Sequence, residues 1–125
     1  MQDKRRTSLV TAVVAVIGAV ALTGCSATTT VDAEQVADAV VIDVRTAAEY
    51  DAGHLDTAVN HDVQSPDFAS QVATLDPDGS YLVYCRSGSR AGVAVDHLVE
   101  LGFEDVRNIG GLDEAAEVTG LPVVR

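Results

Sequence analysis

The sequence predicts an α/β fold, a central, mostly parallel sheet flanked by helices, and three observations predict it. Short runs such as Ala39–Val44, interrupted only by Asp43, and Tyr81–Tyr84 are apolar and mostly β-branched or aromatic, the pattern of strands buried on both faces. Segments with helix caps or a helical apolar period stand between them. Turn signals, of which Asp76-Pro77-Asp78-Gly79 is the strongest, divide one kind from the other. Strands alternating with helices imply a parallel sheet covered on both faces, with its chemistry beyond the carboxyl ends of the strands.

Taken in order, Val31–Ala37 reads as a short helix with Asp32 and Gln35 in capping-box positions, and Ala39–Val44 as the first strand. Thr46-Ala47-Ala48-Glu49 is a capping box that opens a helix ending near Gly53. Thr57–Val63 is a weaker strand. Ser65 as N-cap and Pro66 at the first helical position predict a helix through about Thr74. After the Asp76–Gly79 turn comes the Tyr81–Tyr84 strand. Arg90–Leu101 carries apolar residues at 91, 94, 95, 98 and 101 and stops at Gly102, as a helix does. Asp105–Ile109 is a third strong strand, Gly110-Gly111 a turn, and Leu112–Val118 the last helix.

The first residues stand apart. Lys4, Arg5 and Arg6 precede an apolar run from Leu9 to Leu22, broken only by Thr11 and Gly18. A basic stretch, an apolar stretch and small residues make a secretory signal, and the run is short for a membrane span, which needs about 20 residues. Leu22-Thr23-Gly24-Cys25 resembles the lipobox of bacterial lipoproteins, which implies cleavage before Cys25 and lipid on Cys25. An uncleaved anchor, with Cys25 incidental, is the other reading. The expected organisation is thus residues 1–24 signal, 25–30 polar tether behind the lipidated cysteine, and 31–125 a single domain in an extracytoplasmic, membrane-anchored location.

Composition narrows the partners. Without the signal, which holds Asp3 and the three basic residues, 18 acidic and 5 basic residues remain and none is lysine, a net of −13. Such a surface repels nucleic acid and anionic headgroups, so neither is an expected partner through charge. With Cys25 lipidated, Cys85 is the one remaining thiol: a small buried strand residue or a reactive one.

Its neighbours favour reactivity. Cys85-Arg86-Ser87-Gly88-Ser89-Arg90 lies between a buried strand and a long helix. A loop entering a helix gathers free backbone N–H groups and the positive end of the dipole. Ser87, Gly88 and Ser89 let that backbone curl round an anion, and Arg86 and Arg90 add two full charges. A thiol at the rim of such a nest is expected to have a lowered pKa and to act as a nucleophile.

This segment resembles the active-site loop of the rhodaneses, a family of sulfurtransferases. The resemblance extends to Ile42-Asp43-Val44-Arg45 with Glu49-Tyr50 and Gly53-His54-Leu55, to Leu101-Gly102-Phe103 with Val106, to Asn108-Ile109-Gly110-Gly111, and to Gly120-Leu121-Pro122-Val123. It implies the three-layer rhodanese fold and transfer of sulfane sulfur, from a donor such as thiosulfate to cyanide or a thiol, through a persulfide on Cys85. Arg86, Ser87, Gly88, Ser89 and Arg90 would cradle the anion. No metal or cofactor is implied, and a monomer suffices. Asp43 and Arg45 read as structural polar partners beside the site, with a direct role as the alternative. His54 reads as a hydrogen-bonded structural histidine, and His61 and His97 show no metal-ligand spacing.

The chain departs from the family pattern in two places. Asp56-Thr57 stands where the family usually has Pro-Gly. Ala115 and Ala116 lie where it usually has a tryptophan, with one extra residue before Gly120. Two other functions compete. Cysteine phosphatases have a similar loop with five residues between cysteine and arginine; here there are four, a ring that suits one sulfur atom better than a phosphoryl group. Arsenate reduction is a variant of the same rivalry. A domain that only binds a partner or hands sulfur to it is the second rival, although such binding domains often lack the cysteine.

Overall fold

A computed structural model describes residues 30–125. The signal segment, Cys25 and the tether up to residue 29 lie outside the described residues.

The chain runs α1 (Ala33–Asp38), β1 (Val40–Asp43), α2 (Ala47–Ala52), β2 (His54–Leu55), β3 (Val59–Asn60), α3 (Phe68–Val72), β4 (Ser80–Cys85), α4 (Ser89–Glu100), β5 (Asp105–Gly111), α5 (Leu112–Thr119) and β6 (Val123–Val124). The main sheet has the order β3-β1-β4-β5 with every pairing parallel, and β2 and β6 form a small antiparallel pair. This is the expected α/β fold with a central parallel sheet between helices.

Strand alternation sorts the core into two halves. Ile42, Val44, Tyr81, Val83 and Cys85 pack with Phe68, Val72, Ala91, Ala94 and Leu98, so α3 and α4 cover that face. Val41, Leu82, Tyr84 and Ile109 pack with Leu55, Ala58 and Ala115, against α1, α2 and α5. The cap at Thr46 forms as read: Thr46 Oγ1 accepts from Glu49 N at 3.3 Å, and Thr46 N donates to Glu49 Oε2 at 3.1 Å.

Three local expectations need correction. The Thr57–Val63 strand shrinks to Val59–Asn60, because residues 55–58 form a tight turn closed by Ala58 N donating to Leu55 O at 3.0 Å. The helix expected from Ser65 starts only at Phe68. Ser65-Pro66 makes a separate turn, with Phe68 N on Ser65 O at 3.1 Å, and α3 begins only after Asp67, its N-cap. Gly110-Gly111 is not a turn but the end of β5. Val83 pairs with Asn108 and Cys85 with Gly111, so three steps on β5 match two on β4. That extra residue is a β-bulge, and Gly110 takes φ 90 within it.

Candidate active site

Tyr81–Tyr84 bury β4 in the middle of the sheet and deliver Cys85 at its carboxyl end, where the next turn of chain enters α4. Cys85 is fully buried, and its Sγ accepts from Gly88 N at 2.9 Å. Gly88 is the N-cap of α4 at φ 94, a left-handed conformation that favours glycine. The amides that open α4 have no partner inside the helix and lie behind the same loop. Sulfur and helix entrance are therefore together, as the sequence pattern predicts.

The two loop arginines differ. Arg86 is exposed and makes no ion pair among the described residues. Arg90 is held by Glu49 through two hydrogen bonds, Nη1 to Oε2 at 2.8 Å and Nη2 to Oε1 at 2.9 Å. The hydrogen bond from Arg90, against some burial and helped by the Thr46 cap, holds the Glu49 carboxyl at about 2. In return Arg90 is raised, first by the Glu49 hydrogen bond and further by the charges of Glu49, Cys85 and Asp62. Half of the positive charge expected at the loop is thus already matched. Sequence reasoning assigned Glu49 only its capping role; nothing in local spacing signals an ion pair to a residue 41 positions away.

Asp43 and Arg45 form a closed polar network on the other core face. Arg45 Nη2 donates to Asp43 Oδ2 at 2.6 Å and to Gly53 O at 2.6 Å, and Arg45 Nε reaches both Asp43 oxygens at 3.0 Å. Tyr84 Oη donates to Asp43 Oδ2 at 2.8 Å and accepts from Leu55 N at 3.0 Å. Burial pushes the Tyr84 hydroxyl up, and Asp43 adds to that. Among the described residues no buried side-chain nitrogen or oxygen lacks a partner, so the burial of these charges is compensated.

A cavity of about 460 Å³ opens beside the loop, lined by Arg86 and Gly111 with Arg45, Glu49, Asp113 and Glu114 on its walls. Arg86 follows Cys85 in the chain and Gly111 pairs with it across the sheet, so the cavity adjoins the sulfur's own backbone. His54 stands apart from this chemistry: its Nδ1 meets the Tyr50 carbonyl at 2.8 Å and its ring stacks on Tyr50 at 3.7 Å. His61 contacts Gln71, and His97 lies edge-on to Phe68. Among the described residues no group of three or more His, Cys, Asp or Glu is placed to hold a metal.

Comparison with known proteins agrees with this architecture. Residues 27–117 match the model of the rhodanese-like domain. Thiosulfate sulfurtransferase PspE of Escherichia coli (strain K12) is 35% identical over 77 residues, covering 60% of this chain and 72% of that protein. The tRNA uridine(34) hydroxylase of Bacillus velezensis is 35% identical over 78 residues, but the match spans only 24% of that protein. The solved structure of a rhodanese with anions from E. coli superposes with a TM-score of 0.59 at 31% identity, covering 69% of this chain and 96% of that one. With its fold, its loop and these relatives in agreement, the chain belongs to the rhodanese-like domain family.

Proposed function

We propose that the chain is a sulfurtransferase that carries sulfane sulfur on Cys85, taking it from a donor such as thiosulfate and giving it to a thiophilic acceptor, cyanide or a thiol. The observation that carries this reading is the Gly88 N–H directed at Cys85 Sγ at 2.9 Å, at the entrance of α4. The similarity to PspE supports it.

In the first step the Cys85 thiolate attacks the outer sulfur of thiosulfate. An S–S bond forms to Cys85, the donor's own S–S bond breaks, and sulfite leaves with the electron pair. In the second step the acceptor attacks the outer sulfur of the persulfide, and the Cys85 thiolate leaves. This is two-step covalent catalysis without a net redox change in the protein. Arg86 draws the anionic donor through an acidic surface, and residues 86–90 hold the bound sulfur with backbone N–H groups. Arg90, tied to Glu49, serves mainly to fix the loop. Asp43 and Arg45 support the site from the opposite core face.

The tRNA chemistry named for other relatives is not carried over, because a net charge of −13 over residues 25–125 opposes nucleic acid. Export as a lipoprotein, with lipid on Cys25 and an extracytoplasmic location, is part of the proposal. It rests on Leu22-Thr23-Gly24-Cys25 behind its apolar run. The mass of the chain recovered from membranes, with and without Cys25→Ala, tests it.

The test of the chemistry is the intact mass of the purified chain before and after thiosulfate, beside Cys85→Ser. One added sulfur atom that cyanide removes, absent from Cys85→Ser, is the expected result. A folded chain that takes sulfur from no donor refutes the proposal and returns phosphate and arsenate to consideration.

A further inference from the structure

We infer that Asn108 is a positioning residue for Cys85: its carboxamide fastens the sulfur-holding loop to the bulged end of β5. The inference rests on the reading of Cys85 as the sulfur carrier. Asn108 Nδ2 donates to Gly88 O at 3.0 Å, and Asn108 Oδ1 accepts from Gly110 N at 2.9 Å. One partner is a carbonyl and the other an N–H, so only this orientation of the amide satisfies both.

Each partner is critical in its own right. Gly88 is the residue whose N–H meets Cys85 Sγ, and its carbonyl also accepts from Gly92 N at 3.0 Å at the start of α4. Gly110 is the left-handed residue of the bulge, and Gly111 after it both pairs with Cys85 and lines the cavity. The surroundings pack against the clamp at ordinary contact distance. A Cβ on Gly88 would come within 3.4 Å of Gly110 Cα, and a Cβ on Gly92 would lie 3.6 Å from Asn108 Nδ2. Gly92 thus lies directly beside the carboxamide on the first turn of α4. Without Asn108, Gly88 can rotate about its own backbone, and its N–H loses its aim at the sulfur.

The experiment follows the Cys85 thiolate by its absorbance at 240 nm against pH in the full chain, as a difference from Cys85→Ser so that Cys25 cancels. Asn108→Ala and Asn108→Leu remove both hydrogen bonds, the second with side-chain bulk retained. The charged groups around the loop are Arg86 on the loop itself, Arg90 with its partner Glu49 on α2, Asp62 ahead of α3, Arg45 after β1, and Asp113 and Glu114 on α5; all stay in place. Both variants are expected to raise the thiolate midpoint by about one pH unit, the worth of one hydrogen bond to a charged group. Sulfur loading from thiosulfate is expected to slow about tenfold, with the thiosulfate KM little changed. Variants that fold and keep the wild-type midpoint overturn the inference. In the unmutated chain the Asn108 carboxamide proton resonance is expected to titrate with the thiol; a resonance flat through that range overturns it even where a variant does not fold. A raised midpoint in a chain that accepts no sulfur would sink the sulfurtransferase proposal and leave the positioning role standing.

Discussion

Replacing Thr57 by glycine is expected to stabilise the protein. Thr57 has φ 69, the one positive φ outside glycine among the described residues. It is the third residue of the turn that Ala58 N closes onto Leu55 O, the place where a type II turn calls for glycine. An L-residue there costs roughly 1–2 kcal/mol, and a β-branched one lies toward the upper end. Thr57 is exposed, so its removal empties no core space. Glycine returns part of the gain through the freedom of the unfolded chain, about 0.5–1 kcal/mol. The net expectation is about 1 kcal/mol, or roughly 4–8 °C in Tm for a domain of this size. Thermal and urea unfolding at neutral pH read it, with Thr57→Asn falling between threonine and glycine because asparagine tolerates the left-handed region. Restoring the family's proline at position 56 is expected to be harmful, since Asp56 N donates to Pro122 O at 2.8 Å and proline has no N–H. A Thr57→Gly protein no more stable than the parent would refute the reasoning.

Two further substitutions probe the site. Gly111→Ala places a Cβ 2.5 Å from Arg86 O, a backbone atom, although φ −83 suits alanine; the forced shift of the loop is expected to cost about 1–3 kcal/mol and to slow sulfur loading, and an unchanged Tm and rate would contradict it. Glu49→Gln is expected to lose about 1 kcal/mol at pH 7, because both side chains of the pair are partly open to screening solvent. The folded carboxyl at about 2 lies below its ordinary 4.5, so this contribution is complete above pH 4.5 and fades as pH falls toward 2. The wild-type and variant urea curves should converge there, and a constant gap across that window would exclude the ion pair as its source.

The placement of the Cys85 loop was legible because its information is local: a buried strand, three small residues and a helix start occupy consecutive positions. The alternation of strands and helices was legible for the same reason. What was hidden depends on register and distance. Gly110-Gly111 has the composition of a turn, and only pairing with β4 makes it a bulge. β2 and β6 are two residues each, too short for any period to show. Ser65-Pro66 carries valid start signals, but the chain spends them on a turn before Asp67. Arg90 looked like a free cation because Glu49 is remote in sequence, and Asn108 looked like one more motif residue until its two partners lay on different elements. The departure at Thr57 was visible as a missing glycine, and the structure supplies its meaning.

The pairing of β2 with β6 has a consequence in time. Leu55 N, which anchors Tyr84 Oη, belongs to β2, and the Gly53 carbonyl that receives Arg45 immediately precedes it. The pairing itself, His54 with Val124 and Leu55 with Val123, forms only after segments far apart in the chain have met, and such contacts are rewarded late in folding. Interactions absent from the folding transition state act on the unfolding rate. The small sheet is therefore expected to act as a latch, adding less to how fast the domain assembles than to how long it stays assembled, the property that governs its lifetime where cleavage outpaces reclosing.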